Sequence, residues 1–541
     1  MKSSPERDWK NIFKNPKFIF FIIFISTFIL YLSTWTAQYT TDGIILAQLC
    51  EKGKSITLIF WNPQHPFWAI TGSVLYKVSE KMGMNFSSLS LIQALNSFFG
   101  ALCIAFFFLV LHKITGNRMI SLLFSLIMAF IYRFWFYSVE VKMYVISAFF
   151  VILSLYIIIN TDQKRFYLYP IAGITAALSF FYHIINIFFI PVILFFSLTT
   201  KSDFKTRLSG TTSLALMTAT LIIIVHTSIF ASLFGGGHIN AMLNFDQLYR
   251  WFGLGTRFIG QEVPTGRQNL ETFIKGFLAQ GTDIKDSLFM EAKTEKVIVL
   301  KILLLLFPAF LIFCFIIFIA GLWKTPGEKL KIILPSLIWI AVYSIGIEQV
   351  HARNDMSFMI LFPIIIISAV GMASIPKINN VLYILSLFVL LFFSLNLMIK
   401  IYPEHLKGGN PWLCRVLALG PYVKAGDSIY FSGFFPDVYY AGYFLKANAV
   451  DLEVEFERNV NETTDKIIKN LLSKMNNDLS LGHKVFIDRH ILFPAVSPDQ
   501  WMPAAMDLER IKNFFGERLI LKSKKGIGPD EALFELSAVR L

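Results

Sequence analysis

Residues 18–35 read FIFFIIFISTFILYLSTW, a mostly apolar run that follows the basic stretch MKSSPERDWKNIFKNPK. As a helix, such a run is long enough to cross a hydrocarbon core about 30 Å thick. A signal peptide would have an apolar core of about 7–15 residues that ends at small residues. Because this run is longer and ends in aromatic residues, we predict a retained signal-anchor helix.

The same apolar character continues through the chain of 541 residues, of which 55% are hydrophobic and 16% are charged. Soluble domains carry about 25% charged residues. The apolar stretches are about twenty residues long, whereas the strands of an outer-membrane barrel are about ten residues long and alternate in polarity. We therefore predict an all-α polytopic membrane bundle of about eleven transmembrane helices. The predicted spans are 18–38, 89–112, 119–136, 141–160, 167–183, 184–199, 211–234, 297–322, 332–348, 356–375 and 379–401.

The distribution of basic residues gives the predicted orientation, since cytoplasmic loops are rich in Lys and Arg. With the N-terminus in the cytoplasm, the inner segments contain 16 Lys and Arg but only 5 Asp and Glu. The positive surplus of these inner segments accounts for most of the net charge of +13, whereas residues 402–541 are nearly neutral. The basic character is therefore a topology signal and does not indicate nucleic-acid binding.

Eleven spans place the C-terminal 140 residues outside the membrane, on the same side as the loop that follows the first span. We predict a membrane module over 1–401, with outer loops 39–88 and 235–296, and an extracytoplasmic domain over 402–541. In the first outer loop, helices over 42–51 and 66–82 are predicted to lie along the membrane. The C-terminal domain alternates β-like runs with a helical run, which predicts a small α/β domain. The β-like runs are DSIYFS, VDLEVEF, HKVFIDR, ERLILK and ALFELS, and the helical run is DKIIKNLLSKM.

Several chemically active side chains fall on this predicted outer face, although they are far apart in the sequence. They are Asp42, His65, Glu140, Lys142, Tyr144, His183 and Arg353. Each has an ordinary explanation, as a solvated charge, an aromatic-belt residue, a hydrogen-bonded histidine or part of a polar turn. Taken together, they offer a base and cations at the top of a helix bundle. A cavity at the top of the bundle that contains these groups would suit transfer of a group from a lipid-linked phosphate.

The order of these motifs resembles that of the GT-C superfamily of integral-membrane glycosyltransferases, and especially its protein O-mannosyltransferase-like branch. The matching motifs are Thr41-Asp42-Gly43, His65-Pro66, the stretch SVEVKMY at 138–144, the stretch LSFFYH at 178–183, and Arg353 before Phe358 and Pro363. The resemblance covers about residues 1–375. It departs from the branch at Phe67-Trp68, where a longer Pro-rich stretch is usual, and after Arg353, where an acidic residue or tyrosine is usual.

The resemblance implies a GT-C-like fold and a polyprenyl-phosphate-linked sugar as the donor. The acceptor would be a hydroxyl group of a protein, a glycan or a lipid. In that family the acidic residue of the first outer loop is the proposed base, which implies this role for Asp42. Glu140 would support the site or the acceptor, and His65 and Arg353 would face the phosphate. No cofactor is certain, but a divalent metal ion between Asp42 and Glu140 is conceivable, because carboxylates suit hard cations.

Two other functional classes stay open at this point. A transporter or flippase would also carry charges in its membrane domain, although no internal repeat is evident. A non-catalytic scaffold or receptor would use the C-terminal domain to bind a partner. The expected location is a bacterial inner membrane. The outward-facing sequons at Asn85 and Asn461 leave an endoplasmic reticulum setting open.

Overall fold

The computed structural model of this chain describes most of the sequence, in blocks separated by short and long gaps. The described residues are 15–53, 66–200, 202–234, 277, 296–325, 327–349, 354–376, 378–431, 435–452, 454–455, 463–492, 518–523, 525–528 and 533–540. They form two compact units. The membrane unit comprises Met1–Thr36 and Leu49–Pro403, and the C-terminal unit comprises Ala37–Gln48 and Glu404–Leu541.

The secondary-structure elements of the first part of the chain are all helices among its described residues. The α-helices are α1 Pro16–Ser33, α2 Thr41–Glu51, α3 Pro66–Lys81, α4 Ser88–Thr115, α5 Arg118–Phe130, α6 Tyr132–Val139, α7 Tyr144–Ile159, α8 Leu168–Tyr182, α9 Phe189–Leu198, α10 Phe204–Phe234, α11 Lys296–Leu322, α12 Gly327–Gln349, α13 Leu361–Met372 and α14 Asn379–Asn396. Short 3-10 segments lie at Gln163–Arg165, Ile184–Phe188 and Asn354–Ile360, and a π-helical turn lies at Leu397–Ile401.

Local sequence signals set the ends of these helices. The Asn15 side chain caps the first turn of α1, and Pro16 occupies the first helical position, where its missing N–H costs nothing. Asn117 accepts hydrogen bonds from two amides at the start of α5. The preceding helix, α4, ends at Gly116, whose φ of 70° lies in the left-handed region that glycine tolerates. The tight turn between α4 and α5 is therefore encoded in the dipeptide Gly116-Asn117.

All eleven predicted spans fall on helical segments, and the fold class predicted for this part of the chain is confirmed. Among the described residues, six helices are long and apolar enough to cross a membrane, beginning at Pro16, Ser88, Phe204, Leu305, Lys329 and Asn379. The bent pair α5 and α6, with 64° between the two helices, makes a seventh candidate. The other four spans correspond to apolar helices of 10–17 residues. By length and composition, the chain is a multi-pass membrane protein.

The predicted break between the spans 167–183 and 184–199 is also present. Helix α8 ends at Tyr182, and His183 adopts an extended backbone conformation before the 3-10 segment Ile184–Phe188. The buried Asn186 donates from its Nδ2 to the Ser179 carbonyl at 2.9 Å and accepts from the Tyr343 hydroxyl at 2.6 Å. This side chain therefore satisfies polar groups on both sides of the break.

Helix α4 lies at the centre of the first half of the membrane unit, where it packs against α1, α5, α6 and α7. Its approach to α6 depends on Gly100. A Cβ atom at this position would lie 2.4 Å from the Ser138 Oγ and 2.8 Å from the Ser138 Cβ. Both distances are far shorter than van der Waals contact, so only glycine permits this helix separation.

The C-terminal unit contains a five-stranded sheet. Four of the five predicted β-like runs contain most or all of a strand, whereas VDLEVEF overlaps β2 only at Val450 and Asp451, and Leu452 is already helical. Its elements are α15 Tyr402–His405, α16 Pro411–Leu419, β1 Ser428–Phe431, α17 Phe435–Phe444, β2 Asn448–Asp451, α18 Thr464–Ser480, β3 Val485–Asp488, α19 Arg489–Leu492, β4 Leu519–Leu521 and β5 Leu533–Val539. The strand order is β2-β1-β3-β5-β4. Strand β1 pairs in parallel with β2 and β3, whereas β5 pairs antiparallel with β3 and β4. This is the predicted small α/β domain.

A single amphipathic helix covers part of this sheet. Helix α18 buries Ile467, Ile468, Leu471 and Leu472 in one cluster with residues of β1 and β3. These positions recur at intervals of three and four, which places them on one face of a helix. The predicted helical run DKIIKNLLSKM carries this pattern and lies entirely within α18.

Several carboxyl groups are buried in the C-terminal unit, and that of Asp437 has a shifted pKa. The Asp437 carboxyl in the first turn of α17 is almost fully buried and lies 3.1 Å from the Arg415 Nη1. Burial raises the pKa of Asp437 to about 6, although Arg415 lowers it, and the negative charge of Asp488 raises it further. At neutral pH, the free-energy cost of burying the ionised carboxyl therefore exceeds the stabilisation that it gains from the ion pair with Arg415.

Substitution of Gly100 tests the close approach of α4 and α6. We expect Gly100→Ala to lower the thermal unfolding midpoint of the detergent-solubilised protein, because overpacking costs about 1–3 kcal/mol. Gly327→Ala is the control, since a Cβ atom there meets nothing within 4 Å. Adding Ser138→Gly should restore part of the loss. A midpoint for Gly100→Ala equal to that of the control would contradict this packing.

The buried Asp437 predicts a pH dependence of stability. The folded carboxyl keeps its proton up to about pH 6, whereas the ordinary value is 3.8. Between these values the folded state binds more protons, so the stability falls as the pH rises through this window, by about 1.4 kcal/mol per unit at most. We expect Asp437→Asn to flatten this slope in thermal scans between pH 4 and pH 7. An unchanged slope would show that another group titrates.

Candidate active site

A buried stretch of non-helical backbone separates α6 from α7 at residues 140–143. Glu140 ends α6 with an extended conformation, and the next helix begins only at Tyr144. Glu140, Val141 and Met143 are at most 2% exposed. Backbone groups outside a helix need partners in an apolar environment, because an unsatisfied group there costs several kcal/mol. The sequence around this stretch supplies those partners.

A stripe of polar side chains on α4 donates hydrogen bonds to most of the carbonyl groups of this stretch. The Asn96 Nδ2 donates to the carbonyl oxygens of Glu140 and Lys142 at 2.6 and 3.0 Å. The Gln93 Nε2 donates to the Val139 carbonyl at 2.9 Å, and the Ser97 Oγ donates to that of Ser138 at 3.0 Å. Gln93, Asn96 and Ser97 are spaced by three and four residues and therefore share one face of the helix.

Two further donors complete the support. The Thr36 amide donates to the Val139 carbonyl at 3.3 Å, and the Trp68 Nε1 of α3 donates to the Val141 carbonyl at 3.4 Å. Helix α3 thus packs its indole against the stretch. The five consecutive carbonyl groups of residues 138–142 therefore all accept hydrogen bonds from side-chain or main-chain donors. The backbone of residues 138–142 is fixed from several directions.

The Glu140 side chain folds back on this stretch. It is fully buried, and its Oε2 accepts a hydrogen bond from the Lys142 amide. A carboxylate that accepts from the backbone two residues ahead forms a local turn that fixes both residues. Glu140 therefore holds Lys142 in place as well as contributing a carboxylate.

Lys142, Tyr144 and His183 form a continuous cluster. The Lys142 Nζ lies 5.4 Å from the centroid of the Tyr144 ring, within the range of a cation–π contact. The Tyr144 ring lies 5.2 Å from the His183 ring and 4.8 Å from the Tyr137 ring, measured between centroids. An ammonium group, a phenol and an imidazole are thereby gathered beside the fixed stretch.

The His183 imidazole is oriented by its own backbone. Its Nδ1 accepts a hydrogen bond from the Ile185 amide at 3.2 Å, and the ring is 4% exposed. In the neutral ring, the proton then resides on Nε2, which is a donor. A donor of this kind beside an ammonium group suits an anionic ligand.

Four of the seven predicted site residues are thus brought together, namely Glu140, Lys142, Tyr144 and His183. Asp42 belongs to the C-terminal unit, where it is exposed in the first turn of α2. The Thr40 hydroxyl accepts from the Gly43 amide at 3.3 Å and caps this turn. An acidic residue in a first helical turn also complements the helix dipole, so this position alone does not assign a catalytic role. His65 and Arg353 lie outside the described residues.

A metal ion remains a hypothesis. Within the described parts of the chain, no group of three or more His, Cys, Asp or Glu residues is placed to hold one. Glu140 contributes a single carboxylate, and one of its oxygens already accepts a backbone hydrogen bond. A metal ion there would require ligands from other residues or from a substrate.

The sequence analysis missed the polar stripe of Gln93, Asn96 and Ser97. Its signal was present, because polar residues at intervals of three and four within an apolar span indicate a buried polar contact. What the sequence did not reveal was the partner. The stripe faces main-chain carbonyls, which carry no residue-specific signal, so no matching side chain elsewhere in the chain pointed to it.

Comparisons with known proteins found no matching family model and no matching curated protein. Among solved structures, the chain is similar to a crystal structure of the Archaeoglobus fulgidus oligosaccharyltransferase in complex with Zn and sulfate. The TM-score is 0.40 and the identity is 13%, and the match covers 79% of this chain and 59% of that one. The match therefore spans about three fifths of the length of that protein.

Substitution of Asn96 tests the support of the fixed stretch. In Asn96→Ala, the carbonyls of Glu140 and Lys142 lose a donor at a buried position, which costs about 1–3 kcal/mol. We expect a lower thermal unfolding midpoint by intrinsic tryptophan fluorescence. Asn380→Ala, at an exposed position in the first turn of α14, is the matched control. A shift no larger than that of the control would mean that the stretch does not depend on this amide.

Proposed function

We propose that this protein is an integral-membrane glycosyltransferase of the GT-C type. It moves a sugar from a polyprenyl-phosphate donor to a hydroxyl acceptor on the extracytoplasmic face. The observation that supports this proposal is the cluster at the buried break between α6 and α7, where Glu140 and Lys142 lie on the break, Tyr144 begins α7, and the His183 ring packs against Tyr144. A break in a buried helix costs free energy unless other elements supply hydrogen bonds to its backbone. Breaks that are maintained in this way, together with charged residues, are commonly found at functional sites.

The proposed reaction is a single displacement at the anomeric carbon. The acceptor oxygen forms a bond to that carbon while the bond between the carbon and the phosphate oxygen breaks, with inversion. The hydroxyl proton passes to a carboxylate, for which Asp42 is the candidate because of the family resemblance. The leaving polyprenyl phosphate gains negative charge as the bond breaks. General base catalysis of this kind contributes about 10²–10⁴-fold.

The Lys142 cation and the neutral His183 donor fit the departing phosphate. The Lys142 ammonium and the His183 Nε2–H are donors that stabilise a developing anion in a site of low dielectric constant. The Tyr144 ring between them holds the ammonium in place and offers an apolar surface to a sugar face. His65 and Arg353 are assigned to the same phosphate on the resemblance alone. Glu140 would orient Lys142 and the acceptor.

A transporter or flippase is the second candidate, and one observation favours it. Broken helices are a feature of transporters, and this chain has both the bent pair α5–α6 and the break at residues 140–143. The two functions differ in chemistry. A transporter moves a labelled lipid or sugar across the membrane unchanged, whereas a glycosyltransferase leaves it covalently attached to an acceptor.

Mass spectrometry of cell glycans, lipids and proteins, with and without the gene, tests the proposal and identifies the acceptor. The proposal predicts one sugar residue that disappears on deletion and returns on complementation. Accumulation of an unmodified sugar lipid on one side of the membrane, with all covalent glycans intact, would support the transporter instead.

Three substitutions address the assigned roles. We expect Asp42→Asn and Glu140→Gln to slow transfer by about 100-fold or more, because each removes a charge at the reacting groups. Lys142→Met should have a comparable effect, since it keeps the apolar stem but loses the ammonium. Transfer is measured in membranes with a panel of synthetic polyprenyl-phosphate hexoses and pentoses.

Matched controls separate these effects from general damage. Asp465→Asn removes an acidic residue from the first turn of α18, as Asp42→Asn does in α2. Glu80→Gln removes an exposed carboxylate from α3 in the membrane unit. Both should transfer at the wild-type rate. Full activity of Asp42→Asn would remove Asp42 from the mechanism.

A further inference from the structure

The segment that carries Asp42 is part of the C-terminal unit, although it follows the first span in the sequence. Residues 37–48 group with residues 404–541 in one compact unit. Residues 37–40 are irregular, and α2 begins at Thr41. The position of the first turn of α2 therefore depends on what holds residues 37–40.

Asn410 holds the beginning of this segment. It is fully buried, and its Nδ2 donates to the Ala37 carbonyl at 2.6 Å and to the Tyr440 hydroxyl at 2.8 Å. Its Oδ1 accepts from the Leu413 amide at 3.1 Å and thereby caps α16. Every polar atom of this side chain is used, so its orientation is fixed by the C-terminal unit.

Tyr440 holds the next point of the segment. Its hydroxyl accepts from Asn410 and donates to the Tyr39 carbonyl at 2.8 Å, and the side chain is 2% exposed. The hydrogen bonds thus run in series from Asn410 through Tyr440 to Tyr39. The rings of Tyr39 and Phe444 add a contact with 5.8 Å between their centroids.

Main-chain groups of the same unit reinforce these contacts. The Ala37 amide donates to the Glu404 carbonyl at 2.8 Å, and the Gln38 side chain donates to the Gly409 carbonyl. Three consecutive residues, 37 to 39, are thus tied to residues 404–410 and 440. At the far end of the segment, a Cβ atom on Gly442 would lie 3.2 Å from the Gln48 Nε2, so α17 approaches the segment closely there as well.

We propose that the C-terminal unit is a positioning element for Asp42, and that Asn410 and Tyr440 are its positioning residues. The proposal rests on the function proposed above for Asp42. The contacts are directed hydrogen bonds to main-chain carbonyls, and such bonds fix a backbone more narrowly than apolar packing does. They fix the three residues immediately before the capped first turn that carries Asp42.

Tyr440→Phe is the informative variant, because it removes one hydroxyl and leaves the ring. We expect the amides of residues 39–47 to exchange hydrogen about tenfold faster in the full-length protein. The variant loses the hydrogen bond from the Tyr440 hydroxyl to the Tyr39 carbonyl, and a loss of about 1.4 kcal/mol makes local opening about tenfold more frequent. We also expect kcat for transfer to fall by about 10- to 100-fold with KM changed less than twofold, since misplacement of a catalytic group affects the chemical step. Tyr422→Phe, at an exposed tyrosine of the same unit, is the control.

A double variant distinguishes positioning from general destabilisation. If Tyr440 acts through Asp42, adding Tyr440→Phe to Asp42→Asn lowers the residual rate no further. Unchanged hydrogen exchange at residues 39–47 in Tyr440→Phe would overturn the proposal, whatever the activity. Additive losses in the double variant would also overturn it. Full transfer by Asp42→Asn would instead refute the catalytic role of Asp42, and hydrogen exchange alone would then decide whether the segment is held.

Discussion

The hydrogen bonds between α4 and the stretch 138–142 are the constraint on which the candidate site depends. Backbone polar groups cannot be left unpaired in an apolar bundle. A helix satisfies its own groups, so any departure from helical geometry must be supported by another element. Here Gln93, Asn96 and Ser97 provide that support, and Gly100 lets α4 come close enough to provide it. The break is possible because the neighbouring helix α4 has polar side chains on one face and a glycine at its close approach to α6.

The support explains how a charged residue is accommodated beside a buried stretch of backbone. Lys142 is carried by a stretch whose conformation is fixed on both sides, and the Tyr144 ring lies within cation–π distance of its ammonium group. The cost of removing an ammonium group from water is offset only where its surroundings are prearranged. The same rigidity suits an electrostatic role, because a fixed charge needs no rearrangement when a substrate becomes more negative.

Much of the fold was predictable from the sequence. Long apolar runs located the helices, and β-like runs located four of the five strands of the C-terminal sheet, with the fifth run overlapping only the end of β2. The break between the spans 167–183 and 184–199 was predicted from a turn around Ile184-Ile185-Asn186. The pairing of residues 37–48 with the C-terminal unit was not predictable. It rests on main-chain hydrogen bonds to Asn410, Glu404 and Gly409, and such bonds leave no pattern in either partner.

The candidate site was predictable in part. The stretch SVEVKMY drew attention because charges flank a short loop, and His183 did so because it ends a helix. Their proximity became evident only from the path of α8, which places the His183 ring against Tyr144. The pairing of Asn186 with Tyr343 was not predicted, because an asparagine and a tyrosine in apolar spans are common, and only their mutual hydrogen bond makes them a unit.

The series Asn410–Tyr440–Tyr39 has a consequence for biosynthesis. A ribosome makes residues in order, and the donors to Ala37 and Tyr39 lie 373 and 401 positions after the carbonyls they reach. By then the apolar helices of the membrane unit have already been made. Residues 37–39 must therefore wait for these contacts until residues 410 and 440 have been synthesised. A chain truncated before residue 404 would keep the apolar helices of the membrane unit and yet leave its proposed base without these contacts, so maturation of the site is coupled to synthesis of the C-terminal unit.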